Sequence, residues 1–233
     1  PRSGTIGAGT IGSTGGVTDV NGDGFGDVAV GAPGDDTAIN DAGAAYLLGE
    51  DIQGETLLSD ATAKFLGEAT GDEAGYAVAS AGDVDGDGFD DIAIGAPLND
   101  FGGVDSGATY LVLGPRTGEH SLSVADVRIY GDVMYLRTGH SIAHAGDVDG
   151  SGHPDLLIGS YDQNGVGAAY LLYGPHATGE RSLADADAEF RISEETLTYT
   201  GWSVSSADDV DGDGFDDILI GSFWAYGRAG GAV

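Results

Sequence analysis

The chain has 233 residues, and its 39 acidic and 8 basic side chains give a formal net charge of −31. That balance excludes phosphate-rich nucleic acid as a partner, because such affinity depends on Lys and Arg releasing counterions, and it disfavours an anionic membrane surface for the same reason. Cysteine is absent, so neither a disulfide nor thiol chemistry can hold the fold. No apolar run approaches the length of a membrane span.

Extreme acidity alone suggests a solvated, disordered chain, but 41% of the residues are hydrophobic and the acids are clustered. The clusters organise the sequence. Asp83-Val84-Asp85-Gly86-Asp87-Gly88-Phe89-Asp90-Asp91 places acids at positions 1, 3, 5 and 9 of a tight loop with two glycines, and the apolar run Ile92-Ala93-Ile94 follows. This is the pattern of a calcium loop opening onto a strand. It recurs from Asp19, Asp147 and Asp209, with starts separated by 64, 64 and 62 residues, so the chain is a tandem array.

In chain order, a first strand precedes each loop: loosely within Thr10 to Val17, then Gly75 to Ser80, Gly139 to His144 and Gly201 to Ser206. A second follows each loop at Val28 to Val30, Ile92 to Ile94, Leu156 to Ile158 and Ile218 to Ile220. A third opens on glycine at Gly43 to Leu48, Gly107 to Leu113 and Gly167 to Tyr173. A fourth, shorter strand is expected at Ala63 to Leu66, Val127 to Tyr130 and Glu189 to Ile192. Helical periodicity is confined to short stretches such as Leu57 to Ala63 and Leu183 to Ala188.

The strands carry Ala or Gly on one side and Val, Ile, Leu or Tyr on the other, with few charges, so both faces must be buried. Four-stranded antiparallel sheets stacked face to face about an axis meet that demand. The expected fold is an all-β propeller of four-stranded blades, a single domain over 1–233 with repeats at about 9–66, 67–130, 131–192 and 193–233. The ending Gly230-Gly231-Ala232-Val233 matches the opening of a third strand, and the chain is expected to be a mature or excised piece of something longer, an arc of a larger ring in preference to a compact four-blade one.

The chain resembles the FG-GAP repeats of integrin α-subunit propellers and their bacterial relatives. Gly75-Tyr76, Gly139-His140 and Gly201-Trp202 occupy the FG place, and Gly31-Ala32-Pro33 and Gly95-Ala96-Pro97 are the GAP itself. Later repeats depart from it, with Gly159-Ser160-Tyr161 and Gly221-Ser222-Phe223. The resemblance implies that the first strand is innermost, that the acidic loops share one face, and that ligands meet the opposite face.

It also implies one Ca²⁺ per repeat, up to four. Loop one would use Asp19, Asn21, Asp23, the Phe25 carbonyl and Asp27; loop two Asp83, Asp85, Asp87, the Phe89 carbonyl and Asp91. Loop three would use Asp147, Asp149, Ser151, the His153 carbonyl and Asp155; loop four Asp209, Asp211, Asp213, the Phe215 carbonyl and Asp217. Loops one and three hold three acids where the others hold four, so weaker binding is expected there. An EF-hand is excluded because position 12 is Val30, Ile94, Ile158 or Ile220 instead of an acid.

Catalytic readings find little support. His140 stands where other repeats have Tyr76 and Trp202, which reads as an aromatic packing slot, and Gly139-His140-Ser141-Ile142-Ala143 lacks the final glycine of a hydrolase elbow. Recognition is expected on the connections the repeat does not dictate, with Phe101, Tyr135, Tyr161, Tyr199, Trp224 and Tyr226 as candidates for contacting a protein or carbohydrate.

The expectation is a non-catalytic, calcium-stabilised, extracellular or cell-surface module for adhesion. The alternatives are a structural unit of a fibre or surface assembly and an accessory domain of a secreted hydrolase or lyase. Unpaired edge strands would invite self-association.

Overall fold

The computed structural model describes residues 19–37, 39–49, 56–161, 166–192 and 198–223. The expected first strand within Thr10 to Val17, and the candidates Trp224 and Tyr226, lie outside them.

The first repeat supplies β1 (Val28–Ala32), β2 (Ala44–Leu48) and β3 (Ala63–Leu66). The second supplies β4 (Ala77–Gly82), β5 (Asp91–Ala96), β6 (Ala108–Val112), β7 (Gly118–Ser121) and β8 (Val127–Tyr130). The third supplies β9 (Ser141–Gly146), β10 (Asp155–Tyr161), β11 (Gly167–Leu172), β12 (Gly179–Ser182) and β13 (Ala188–Phe190), and the fourth β14 (Thr200–Asp208) and β15 (Asp217–Ser222). Within each repeat the strands pair antiparallel in sequence order, as the meander β4-β5-β6-β8 illustrates.

Three differences from expectation have physical causes. The first strands of the second and third repeats begin two residues late, at Ala77 and Ser141, because Gly75 and Gly139 sit at φ +82 and +84 and turn the chain, whereas β14 runs from Thr200 with an irregularity in its pairing between Thr200 and Ser203. The helical stretches are single 3₁₀ turns, Leu58–Asp60, Leu122–Val124 and Leu183–Asp185, tied into the sheets by buried Leu122 and Leu183.

The third difference is an added outer strand on two blades, which gives the second sheet five strands. β7 pairs in parallel with β3 of the preceding repeat, and β12 with β8. Each repeat thus lends a strand to its predecessor and covers an edge that would otherwise be open.

Burial on both faces is as expected in the second and third repeats, where every residue of β5, β6 and β11 is buried, whereas β1, β14 and β15 are partly exposed. Ile92, Ile94, Val78 and Tyr110 of the second sheet pack on Leu47, Phe65 and Ala45 of the first. The opposite face of that sheet offers Ala77, Ala79 and Ala93, against which Ile142, Leu156 and Ile158 of the third sheet fit. Small residues on the inner strands and larger Leu111, Val127 and Ile129 farther out fill a gap that widens outward, as stacked blades require.

Successive first strands β4, β9 and β14 lie against one another, which puts them on the inner side. The motif glycines make this approach feasible. A Cβ on Gly31, Gly95 or Gly159 would lie 1.9, 2.1 or 2.0 Å from the carbonyl oxygen of Gly75, Gly139 or Gly201 in the next repeat. The glycine of GAP in one blade therefore rests on the glycine of FG in the following one.

Beside these contacts, Tyr76, His140 and Trp202 form a column, with His140 4.9 Å from Tyr76 and 4.7 Å from Trp202 between ring centroids. Tyr161 meets the same His140 edge-on at 4.6 Å. Burial pushes the His140 imidazole down to about 4, so it is neutral at pH 7 and packs as an aromatic. His140→Phe should leave the unfolding free energy within about 1 kcal/mol of the parent in a urea titration. Ser141 Oγ donates to the Gly201 carbonyl at 2.8 Å and serves as an interblade tie.

Candidate metal centres

Loops two, three and four each join the first strand of their blade to the second, and loop one leads into β1. The two glycines of each loop adopt positive φ, as in Gly86 (+78) and Gly88 (+94), where a side chain would strain the backbone. This coiling directs main-chain N–H groups at the first acid. Asp83 Oδ1 accepts from Gly86 N at 2.7 Å and Asp87 N at 3.0 Å, and its Oδ2 accepts from Gly88 N at 2.9 Å. Asp209 repeats all three bonds at 2.7, 3.1 and 3.0 Å. The loop shape is thus encoded by Asp at position 1 and Gly at positions 4 and 6.

The last acid closes the loop from the strand side. Asp91 is fully buried at the head of β5, with Oδ2 accepting from Val84 N at 2.8 Å and Oδ1 from Gly114 N at 2.7 Å. Asp155 does the same with Val148 N and Gly174 N.

Three carboxylates then converge in loops two, three and four. In each of the sets Asp83/Asp85/Asp91, Asp147/Asp149/Asp155 and Asp209/Asp211/Asp217, one oxygen from each residue lies within 4.8 Å of the others. Asp87 and Asp213 stand outside those sets, with Oδ1 accepting from Phe89 N and Phe215 N. Ser151 Oγ likewise accepts from His153 N at 3.3 Å.

In loop one the Asn21 Nδ2 reaches Asp27 Oδ1 at 2.8 Å and Asp23 Oδ2 at 3.0 Å, so an amide N–H₂ stands among the acids. The Asn21 side chain must turn over to offer its oxygen to a cation there.

The electrostatics fit a cation. Burial first, and then the charges of Asp85 and Asp87, push the Asp91 carboxyl up to about 7, against the lowering effect of the Gly114 and Val84 amides. Asp27 and Asp155 are raised for the same leading reason, burial. Converging oxygen donors on a hard, anionic, partly buried point suit Ca²⁺, which accepts six to eight such ligands.

At the other end of the blades, the connection after β5 and the one before β9 are joined to each other. Tyr135 N donates to the Val104 carbonyl at 2.8 Å and Arg137 N to the Asp105 carbonyl at 3.1 Å. Phe101, Val104, Val133, Met134 and Tyr135 are all exposed there, from 37% for Tyr135 to 57% for Val133 and Met134. The Phe101 ring packs edge-on with Tyr130 and lies 4.3 Å from the Arg128 guanidinium, which pairs with Glu68 and Glu180. Of the aromatic candidates, Phe101 and Tyr135 thus share one patch. Tyr161 and Tyr199 pack with each other and with the Trp202 end of the aromatic column.

Under Phe101 lies a buried polar cluster that no repeat pattern announces. Asn99 Nδ2 donates to Asp72 Oδ2 at 2.7 Å and to Glu68 Oε1 at 3.0 Å, while Asn99 Oδ1 accepts from Phe101 N at 3.0 Å. Burial, reinforced by the Glu68 charge, pushes Asp72 up to about 6. A carboxyl raised in the folded state costs stability once it ionises, so this penalty is present above pH 6 and fades as pH falls toward 4. Asp72→Asn should therefore stabilise the fold by about 1–3 kcal/mol at pH 8 and by much less at pH 4.5. Urea midpoints of the two proteins across that range check the sign.

Comparison with known proteins agrees with this geometry. The FG-GAP repeat family matches residues 11–48, 74–112 and 200–233. The third repeat is passed over; it carries Ser151, Pro154 and Gly159-Ser160-Tyr161 where the second has Asp87, Asp90 and Gly95-Ala96-Pro97.

Integrin alpha pat-2 of Caenorhabditis elegans is 30% identical over 234 residues, covering 91% of this chain and 18% of the relative. Integrin alpha-5 of Xenopus laevis is 32% identical over 167 residues, covering 68% of this chain, and integrin alpha-V of Gallus gallus 37% over 165 residues, covering 66%. The chain spans less than a fifth of the length of these relatives. With its repeated loops, its stacked antiparallel sheets and these relatives together, the chain belongs to the FG-GAP repeat family as an integrin-like FG-GAP domain.

Proposed function

We propose that the chain is a non-catalytic, extracellular or cell-surface adhesion module whose blades are stabilised by up to four Ca²⁺ ions. The observation that carries the metal is the threefold recurrence of carboxylates gathered within 4.8 Å at equivalent blade corners. Asp19, Asp83, Asp147 and Asp209 and their loop partners would supply the oxygens, and the ion would offset mutual repulsion that the bare fold must carry. The integrin relatives support the adhesive role.

A protein ligand is proposed to meet the face away from the metal loops, at Phe101, Val104, Val133, Met134 and Tyr135. A contiguous exposed apolar group on two mutually bonded connections is the kind of surface that marks recognition. Arg128 and Asn99 beneath it hold Phe101 in place. The test is a binding screen of matrix proteins and glycans with the parent chain and with Phe101→Ala/Met134→Ala. A protein captured by the parent and lost at least tenfold by the variant supports the assignment. A glycan ligand, or a protein ligand indifferent to the substitutions, would refute it.

A further inference from the structure

The four loops differ in how they touch one another. In loop two, Phe89 and Asp90 lie between the ligand positions Asp87 and Asp91 and reach back to loop one. Asp90 N donates to the Asp19 carbonyl at 3.3 Å, and a Cβ on Gly22 would lie 2.8 Å from Phe89 Cε1, so the ring covers that glycine. Arg116 N adds a bond to the Val20 carbonyl at 3.2 Å.

Loop four reaches back to loop three in the same way. Asp216 N donates to the Asp147 carbonyl at 3.3 Å, Asp147 N donates to Asp216 Oδ2 at 2.8 Å, and a Cβ on Gly150 would lie 2.5 Å from Phe215 Cε1.

The junction between loops two and three lacks these links. His153 and Pro154 replace the Phe-Asp pair, Pro154 has no N–H to donate, and nothing lies within 4 Å of a Cβ on Gly86. His144 of β9 and Pro154 meet the backbone before loop two by simple contact, with His144 Nε2 3.0 Å and Pro154 Cβ 3.1 Å from a Cβ on Gly82.

We propose that the metal sites work as two coupled pairs, one with two and three with four, and that the pairs are independent of each other. This rests on the calcium reading above. In each pair the loop reaching back holds four acids at ligand positions and the loop receiving it holds three. An ion in loop two fixes the Phe89-Asp90 segment, since it lies between two ligand positions, and so pre-orders Asp19 and Gly22. Loop four does the same for Asp147 and Gly150. The weaker member of each pair thereby gains affinity from the stronger, and coupling of this kind is reciprocal.

Two-dimensional amide NMR during calcium titration of the full chain tests this, with Gly24, Gly88, Gly152 and Gly214 reporting the four loops. Asp85→Ala should weaken loop one at least fivefold and leave loops three and four within twofold. Asp211→Ala should weaken loop three and spare loop two. Phe89→Leu keeps every loop ligand and should also weaken loop one, which preserves the test should a ligand variant fail to fold.

Unchanged loop-one affinity in Asp85→Ala and Phe89→Leu, with calcium still bound elsewhere, would overturn the coupling alone. Equal weakening of all four loops would overturn the pairing. If no glycine signal of the parent moves at millimolar calcium, the calcium reading falls and the coupling with it.

Discussion

Excess EDTA is expected to lower the melting temperature of the calcium-equilibrated protein by about 10–20 °C. An ion that binds only the folded state adds RT ln(1 + [L]/Kd), about 2.7 kcal/mol at a hundred times Kd. Loops two and four, with four acids each at ligand positions, would therefore contribute about 5 kcal/mol between them, and each kcal/mol moves the midpoint of a chain this size by about 2–4 °C. The physical source is the repulsion among Asp83, Asp85 and Asp91 and among Asp209, Asp211 and Asp217, gathered within 4.8 Å. Differential scanning calorimetry with and without chelator checks the shift, and an unchanged midpoint would remove the metal from the stability of the fold.

Gly95→Ala is expected to be among the most damaging single-methyl additions at the described residues. The added Cβ would stand 2.1 Å from the Gly139 carbonyl oxygen, and that oxygen belongs to backbone packed between two blades. A flexible side chain could turn away, whereas here two sheets must part. The cost should be about 3 kcal/mol or more, at the upper end of overpacking effects. Gly34→Ala provides the control, because nothing lies within 4 Å of its Cβ, and its stability should stay within about 0.5 kcal/mol of the parent. Chemical denaturation of the two variants separates a specific blade contact from a general intolerance of substitution.

The features readable from the sequence were those that repeat. Asp at position 1 and Gly at positions 4 and 6 encode a loop whose shape comes from its own side chain to main chain bonds, so Asp83 to Asp91 could be read locally. The second, third and fourth strands were visible because each is a short apolar run, and in Ile92-Ala93-Ile94 and Leu156-Leu157-Ile158 both faces are buried.

β7 and β12 were not visible. Gly118-Glu119-His120-Ser121 is mostly exposed and lacks alternation, and it becomes a strand by pairing with the backbone of the previous repeat. The Asp72-Asn99-Glu68 cluster was hidden for a related reason: its members come together only when the connections before β4 and after β5 meet. The link between metal loops had a signal that could have been read, since Phe-Asp at 89–90 and 215–216 is replaced by His-Pro at 153–154. Its meaning needed the contact of each pair with the loop before it.

Native mass spectrometry of the chelated chain, reloaded with calcium, tests the central claim most directly. Up to four bound ions are expected, with loops two and four filling first and their partners following at higher calcium. A chain that carries no calcium at millimolar concentrations would contradict it.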